Sequence, residues 1–160
     1  MTTAGSPQGL DRALIGRTSE QTVVRVNTEQ LKFFARATDQ RDPVYFDETA
    51  ARAAGHRTIP VPPTFAFSLA LASPEQAGYA LIQVKADPRY ILHAEQAFRY
   101  HAPLYAEDDV SLTTTIIDLY EKKGGALRFV VQRTDYLSSN GMLCIEGDTT
   151  FVLRSPEALS

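Results

Sequence analysis

Between Pro63 and Ala72 the chain runs the length of a short helix without one charged side chain, and most of the chain beyond Tyr90 is patterned like strand. Phe65, Phe67, Leu69 and Leu71 leave such a helix almost no polar side, so it has to be buried. One apolar helix among strands is accommodated by a sheet that curves around it. Pro63 suits the first helical turn, where its missing N–H costs nothing, and Ser73-Pro74 closes the helix. Ahead of it stands a polar turn, Asp39-Gln40-Arg41-Asp42-Pro43, the natural place for chemistry.

The flanking segments fit this frame. Residues 10–18 read as a short turn or helix, and Gln21–Val26 (QTVVRV) reads as a strand. Asn27 or Thr28 caps the next helix, with Asn27 and Gln30 at capping-box spacing. Leu31, Phe34, Ala35 and Thr38 share one face of that helix. It stops near Thr38–Arg41, because Pro43 disfavours helical geometry at Asp42. Asp47 caps a second helix, Glu48–Ala54, ended by Gly55 in the left-handed conformation. His56–Pro62 is a bend, and residues 75–89 read as a variable excursion.

From Tyr90 onward the pattern is β: Ile91–His101, Val110–Glu121, Leu127–Tyr136 and Met142–Arg154, with turns at Gly124-Gly125 and Asn140-Gly141. One early strand, helices and then four strands give an α+β chain, a curved antiparallel sheet around a central helix. That is the hot-dog arrangement, expected here as a single domain over 1–160 with flexible ends at 1–9 and 155–160. Such a sheet covers one side of its helix and leaves open edges, which favours pairing with a second copy or a partner.

Bulk properties narrow the function. A net charge of −3 with no basic run argues against nucleic-acid binding. The first residues lack a signal-peptide pattern and no apolar run reaches membrane-span length, so the expected location is cytoplasmic and off the membrane. Cys144, the single cysteine, permits no internal disulfide, and its apolar run reads as packing rather than nucleophile. His93 and His101 lie eight apart on one strand and are expected on the same face. Neither has metal-ligand spacing, so no metal site is expected.

FARATDQRDPVYFDETAARAAG from Phe34, then VPPTF ending at Phe65, resembles the N-terminal segment of MaoC-like (R)-specific enoyl-thioester hydratases and dehydratases. Within that group it is most similar to the FAS1-like dehydratase branch. The later stretch LHAEQAFRYHAPLYAEDDV resembles that branch's second signature, a His-x-x-Gln strand followed by an aromatic-His-x-Pro-Leu turn. The resemblance implies reversible water addition to a trans-2-enoyl-CoA or acyl-carrier-protein thioester, without a cofactor. It implies a homodimer, or a heterodimer with a second MaoC-like chain.

The family's hydration motif is Gly-Asp-x-Asn-Pro-Leu-His, whose Asp and His act on a water and the substrate's α and β carbons. Aligned on Pro43, Gln40 stands at the catalytic Asp position and Tyr45 at the catalytic His position. An amide is no general base near neutral pH, and a phenol is a poor replacement for imidazole. Asp39, Tyr45 and His93 are therefore the catalytic candidates on this chain. Asp39 and Asp42 also fit an Asx-type turn ahead of Pro43, which is the favoured reading of the pair, Tyr45 fits a lining role, and His93 matches a histidine common in the branch. Pro63, Thr64 and Phe65 are the substrate-binding candidates, through free backbone N–H groups where the helix begins. The leading reading is a dehydratase/hydratase-type protein, in its most specific form the substrate-binding subunit of a two-chain enzyme. The alternatives are a non-catalytic acyl-thioester binding protein and a hot-dog thioesterase.

Overall fold

The computed structural model describes residues 9–154. Of the flexible ends expected at 1–9 and 155–160, all but residue 9 lie outside the described residues. The elements are β1 (Thr22–Arg25), α1 (Thr28–Ala37), α2 (Glu48–Ala53), α3 (Phe65–Leu71), α4 (Pro74–Ala77), α5 (Tyr79–Gln83), β2 (Ile91–Tyr100), β3 (Asp109–Lys122), β4 (Leu127–Leu137) and β5 (Leu143–Arg154). The strands form one antiparallel sheet in the order β1-β3-β4-β5-β2, with α3 laid against its inner face. This is the hot-dog fold. Among the described residues no helix is long and apolar enough to cross a membrane.

Local chemistry sets the boundaries. The Asn27 side chain accepts from the Gln30 N–H at 3.0 Å to start α1, and the Asp47 carboxylate accepts from the Ala50 N–H at 2.8 Å to start α2. The β4–β5 turn is closed by the Asn140 amide oxygen, which accepts from the Met142 N–H, while Gly141 takes a φ of 82°.

Residues 74–83 correct the expected excursion. They form α4 and α5 and lie over the sheet. Gln76 is fully buried and donates to the Glu20 carbonyl and the Thr22 hydroxyl. Gln132 on β4 reaches up to meet them. Its amide NH2 donates to the Gln76 and Ala77 carbonyls, and its amide oxygen accepts from the buried Ala80 N–H. Thr114 and Thr134 complete the band with a hydroxyl pair at 2.8 Å. This polar belt separates an apolar cluster under α3 (Phe65, Leu69, Leu112, Tyr136, Ile145) from one under α5 (Ala80, Ile116, Leu119, Val130, Phe151).

The last strands also explain a glycine. A Cβ on Gly147 would sit 3.3 Å from the rings of both Phe98 and Tyr136, so the bare backbone lets those rings close on the sheet.

Two arginines and a histidine ring Glu146 on the outer face of the sheet. Its carboxylate accepts from Arg99 and the His101 ring at 2.8 Å each and from Arg133 at 2.9 Å. The Arg99 and His101 bonds hold its acidity at about 2, below the ordinary 4.5. A carboxyl depressed on folding stabilises the protein above its ordinary value and loses that contribution as pH falls toward the folded value. Glu146→Gln is therefore expected to flatten the fall of melting temperature between pH 4.5 and pH 2, measured by thermal scans across pH.

Candidate functional site

α3 begins late, at Phe65 rather than Pro63, because Thr64 adopts a left-handed backbone with φ of 67°. For a β-branched residue this is a strained conformation. It is held from three sides. The Tyr100 hydroxyl, on edge strand β2, accepts from the Thr64 N–H at 3.0 Å. The Val61 N–H donates to the Leu104 carbonyl, fixing the preceding bend. Phe34 of α1 meets Phe65 edge-on at 5.2 Å. The Phe65 N–H is itself bonded to the Pro62 carbonyl at 3.2 Å. The expected free N–H groups at Thr64 and Phe65 thus both have partners in the chain as it stands, the Tyr100 hydroxyl and the Pro62 carbonyl.

Before it, α1 ends in a Schellman cap. The Gln40 N–H reaches the Ala35 carbonyl at 2.9 Å and the Asp39 N–H reaches that of Arg36 at 3.2 Å, with Asp39 left-handed at φ of 55°. The Asp39 carboxylate is 81% exposed and paired with Arg41 at 3.1 Å. Its conformation and direction both have structural causes. The Asx turn falls to Asp42, whose side chain accepts from the Val44 N–H at 3.0 Å. Tyr45 is half-buried in the short 3-10 turn Pro43–Tyr45, and burial, then the nearby Asp42 charge, pushes its phenol above the usual value.

His93 lies elsewhere. Its ring sits 5.1 Å from Phe67 of α3 and 5.6 Å from Phe151, on the inner face of β2. Among the described residues no hydrogen bond or ring contact joins Asp39, Tyr45 and His93. The expected common face for His93 and His101 is corrected. A β-bulge between His93 and Glu95 reverses the alternation, so His101 points outward to Glu146 while His93 points inward. The same bulge gives the His-x-x-Gln spacing its meaning. In a regular strand, residues three apart face opposite ways, yet here Gln96 also faces inward, its amide oxygen accepting from the buried Thr149 hydroxyl at 2.8 Å.

Tyr100 is not among the site residues that the sequence singles out. Its part at Thr64 depends on the bulge and the left-handed turn, neither of which has a local sequence signal. Along α3, Thr64, Phe67, Ser68 and Leu71 form a stripe at helical spacing that stays partly or largely open, Leu71 to 54%. With His93 and Tyr100 beside it, this stripe makes an apolar wall with one imidazole and one phenol. Among the described residues no cluster of His, Cys, Asp and Glu has the arrangement of a metal site.

Residues 13–146 match the family described as the FAS1-like dehydratase domain region. The chain belongs to that family. Relatives within the FAS1-like dehydratase family include a UPF0336 protein of Streptomyces griseus, 33% identical over 151 residues, with 92% of this chain and 97% of the relative covered. The truncated HadBC (3R-hydroxyacyl-ACP dehydratase) complex of Mycobacterium tuberculosis contains a chain that superposes with a TM-score of 0.75 at 28% identity. The match covers 87% of this chain and 96% of that one. The (R)-hydratase of A. caviae shares the fold at a TM-score of 0.67 and 17% identity, covering 90% and 97%.

Proposed function

We propose that this chain is the substrate-binding half of a two-chain (R)-specific 3-hydroxyacyl-thioester dehydratase or enoyl-thioester hydratase. The observation that carries the reading is the pair Gln40 and Tyr45, standing where the hydration motif has its Asp and His. The adjacent carboxylate, Asp39, is turned outward and paired with Arg41. The groups that move protons then come from a second MaoC-like chain, while this one supplies the apolar wall of α3 and the backbone at Thr64. The HadBC complex, a 3R-hydroxyacyl-ACP dehydratase whose matched chain is 28% identical, supports a reading in which this chain works within a complex.

The thioester carbonyl takes the Thr64 N–H by displacing the Tyr100 phenol, and the acyl chain lies along Phe67 and Leu71. Calorimetric titration of the purified chain with a long trans-2-enoyl-CoA tests this. Saturable heat with unchanged enoyl absorbance and no released CoA thiol is expected. No saturable binding, or thiol release by hydrolysis, would overturn it.

A further inference from the structure

The bulge in β2 does more than turn His93 inward. His93 pairs with Phe151 and Gln96 with Thr149, positions two apart on β5. His93 and Gln96 therefore occupy successive places on the inner face, with backbones about 7 Å apart. Two polar side chains stand together there, beside the otherwise apolar wall of α3.

Both carry unused hydrogen-bonding groups. The Gln96 amide oxygen is taken by the Thr149 hydroxyl, which fixes the amide and leaves its NH2 to donate elsewhere. Among the described residues, neither that NH2 nor a ring nitrogen of His93 has a hydrogen-bond partner. The imidazole is exposed, yet rings hold it on two sides, Phe67 at 5.1 Å and Phe151 at 5.6 Å. It is thus oriented by apolar contacts with its nitrogens left open. Water serves these groups in the open chain, and a ligand laid over them displaces that water.

The acyl chain proposed above runs from Thr64 along Phe67 and Leu71, and Phe67 is the residue that His93 touches. Phe67 lies three residues beyond Thr64, about 4–5 Å along the helix. The polar pair therefore meets the acyl chain past its double bond, not at the reacting carbons. A plain alkyl segment would cover the pair and leave its donors unsatisfied, a cost that apolar contact does not offset. A hydroxyl satisfies both: its oxygen accepts from the Gln96 NH2 while its hydrogen is donated to an imidazole nitrogen.

We propose that His93 and Gln96 are specificity-determining residues that select acyl thioesters bearing a hydroxyl on the chain beyond the double bond. This deepens the thioester-binding reading above and rests on it.

Calorimetric titration of the full chain tests it, with a plain ten-carbon trans-2-enoyl-CoA and equal-length analogues hydroxylated at each carbon beyond the double bond in turn. At least one analogue is expected to bind about tenfold or more tightly than the plain chain. His93→Phe keeps the ring contacts and Gln96→Met keeps the length, and each removes half of the polar pair. Either variant should bind the plain chain more tightly and the preferred analogue more weakly, bringing their ratio toward one. A merely structural role would lower both affinities together, and that result in both variants would overturn the proposal. So would an unaltered chain that binds the plain thioester at least as tightly as every analogue, or a preference that survives both substitutions. Should Gln96→Met fail to fold without its bond to Thr149, His93→Phe alone decides. Binding without preference sinks this inference alone, whereas no binding of any thioester overturns the reading beneath it as well.

Discussion

Gln132→Leu is expected to lower the melting temperature by roughly 10 °C. The substitution nearly conserves volume, so the effect isolates hydrogen bonding from cavity formation. It removes three bonds at once and leaves the Ala80 N–H, at a fully buried residue, with no acceptor. An orphaned buried donor costs about 1–3 kcal/mol, and the stranded Gln76 and Ala77 carbonyls add to that. A total near 3 kcal/mol corresponds to roughly 10 °C for a chain of this length. Differential scanning calorimetry measures it. A shift below about 2 °C would mean that the belt does not hold α4 and α5 to the sheet.

The double variant Gln40→Asp/Tyr45→His is expected to gain enoyl-CoA hydration at least about a hundredfold above the unaltered chain. The turn is suited to the exchange. Gln40 takes part in the α1 cap through its backbone N–H rather than its side chain, and Tyr45 sits half-buried after Pro43. A carboxylate and an imidazole act together on one water, so each single substitution should gain little. Asp39→Asn should change nothing, because its carboxylate faces solvent and Arg41. Stopped-flow or steady-state absorbance measures the rates. A folded, thioester-binding double variant without activity would show that the chain lacks more than this pair.

Where one residue's chemistry decides a feature, the sequence declared it. Asn27 and Asp47 announce the helix starts they cap, and Asn140-Gly141 announces the turn that opens β5. The expected strands match β1 to β5 to within a residue or two, because alternation on a half-buried sheet is a strong signal. The apolar helix was visible, and with it the fold. Its start was not, since the left-handed turn at Thr64 is imposed by Tyr100 and the bend at Val61 from distant parts of the chain.

Residues 74–83 escaped for a related reason. Their helices are too short to show a period, and their purchase on the sheet is polar, through Gln76 and Gln132. The bulge at His93–Glu95 has no local mark at all, yet it decides which histidine faces the helix. At the site, the sequence supplied the absence of the Asp/His pair, whereas the outward turn of Asp39 needed the three-dimensional cap.

The most direct test monitors crotonyl-CoA and a longer 2-enoyl-CoA by loss of enoyl-thioester absorbance, first with the pure chain and then with a co-expressed MaoC-like chain carrying the Asp/His pair. A flat trace is expected for the pure chain, with turnover in the mixture exceeding that of the second chain alone. Robust turnover by the pure chain would contradict it, because Gln40 and Tyr45 would then stand in an active site that needs no partner.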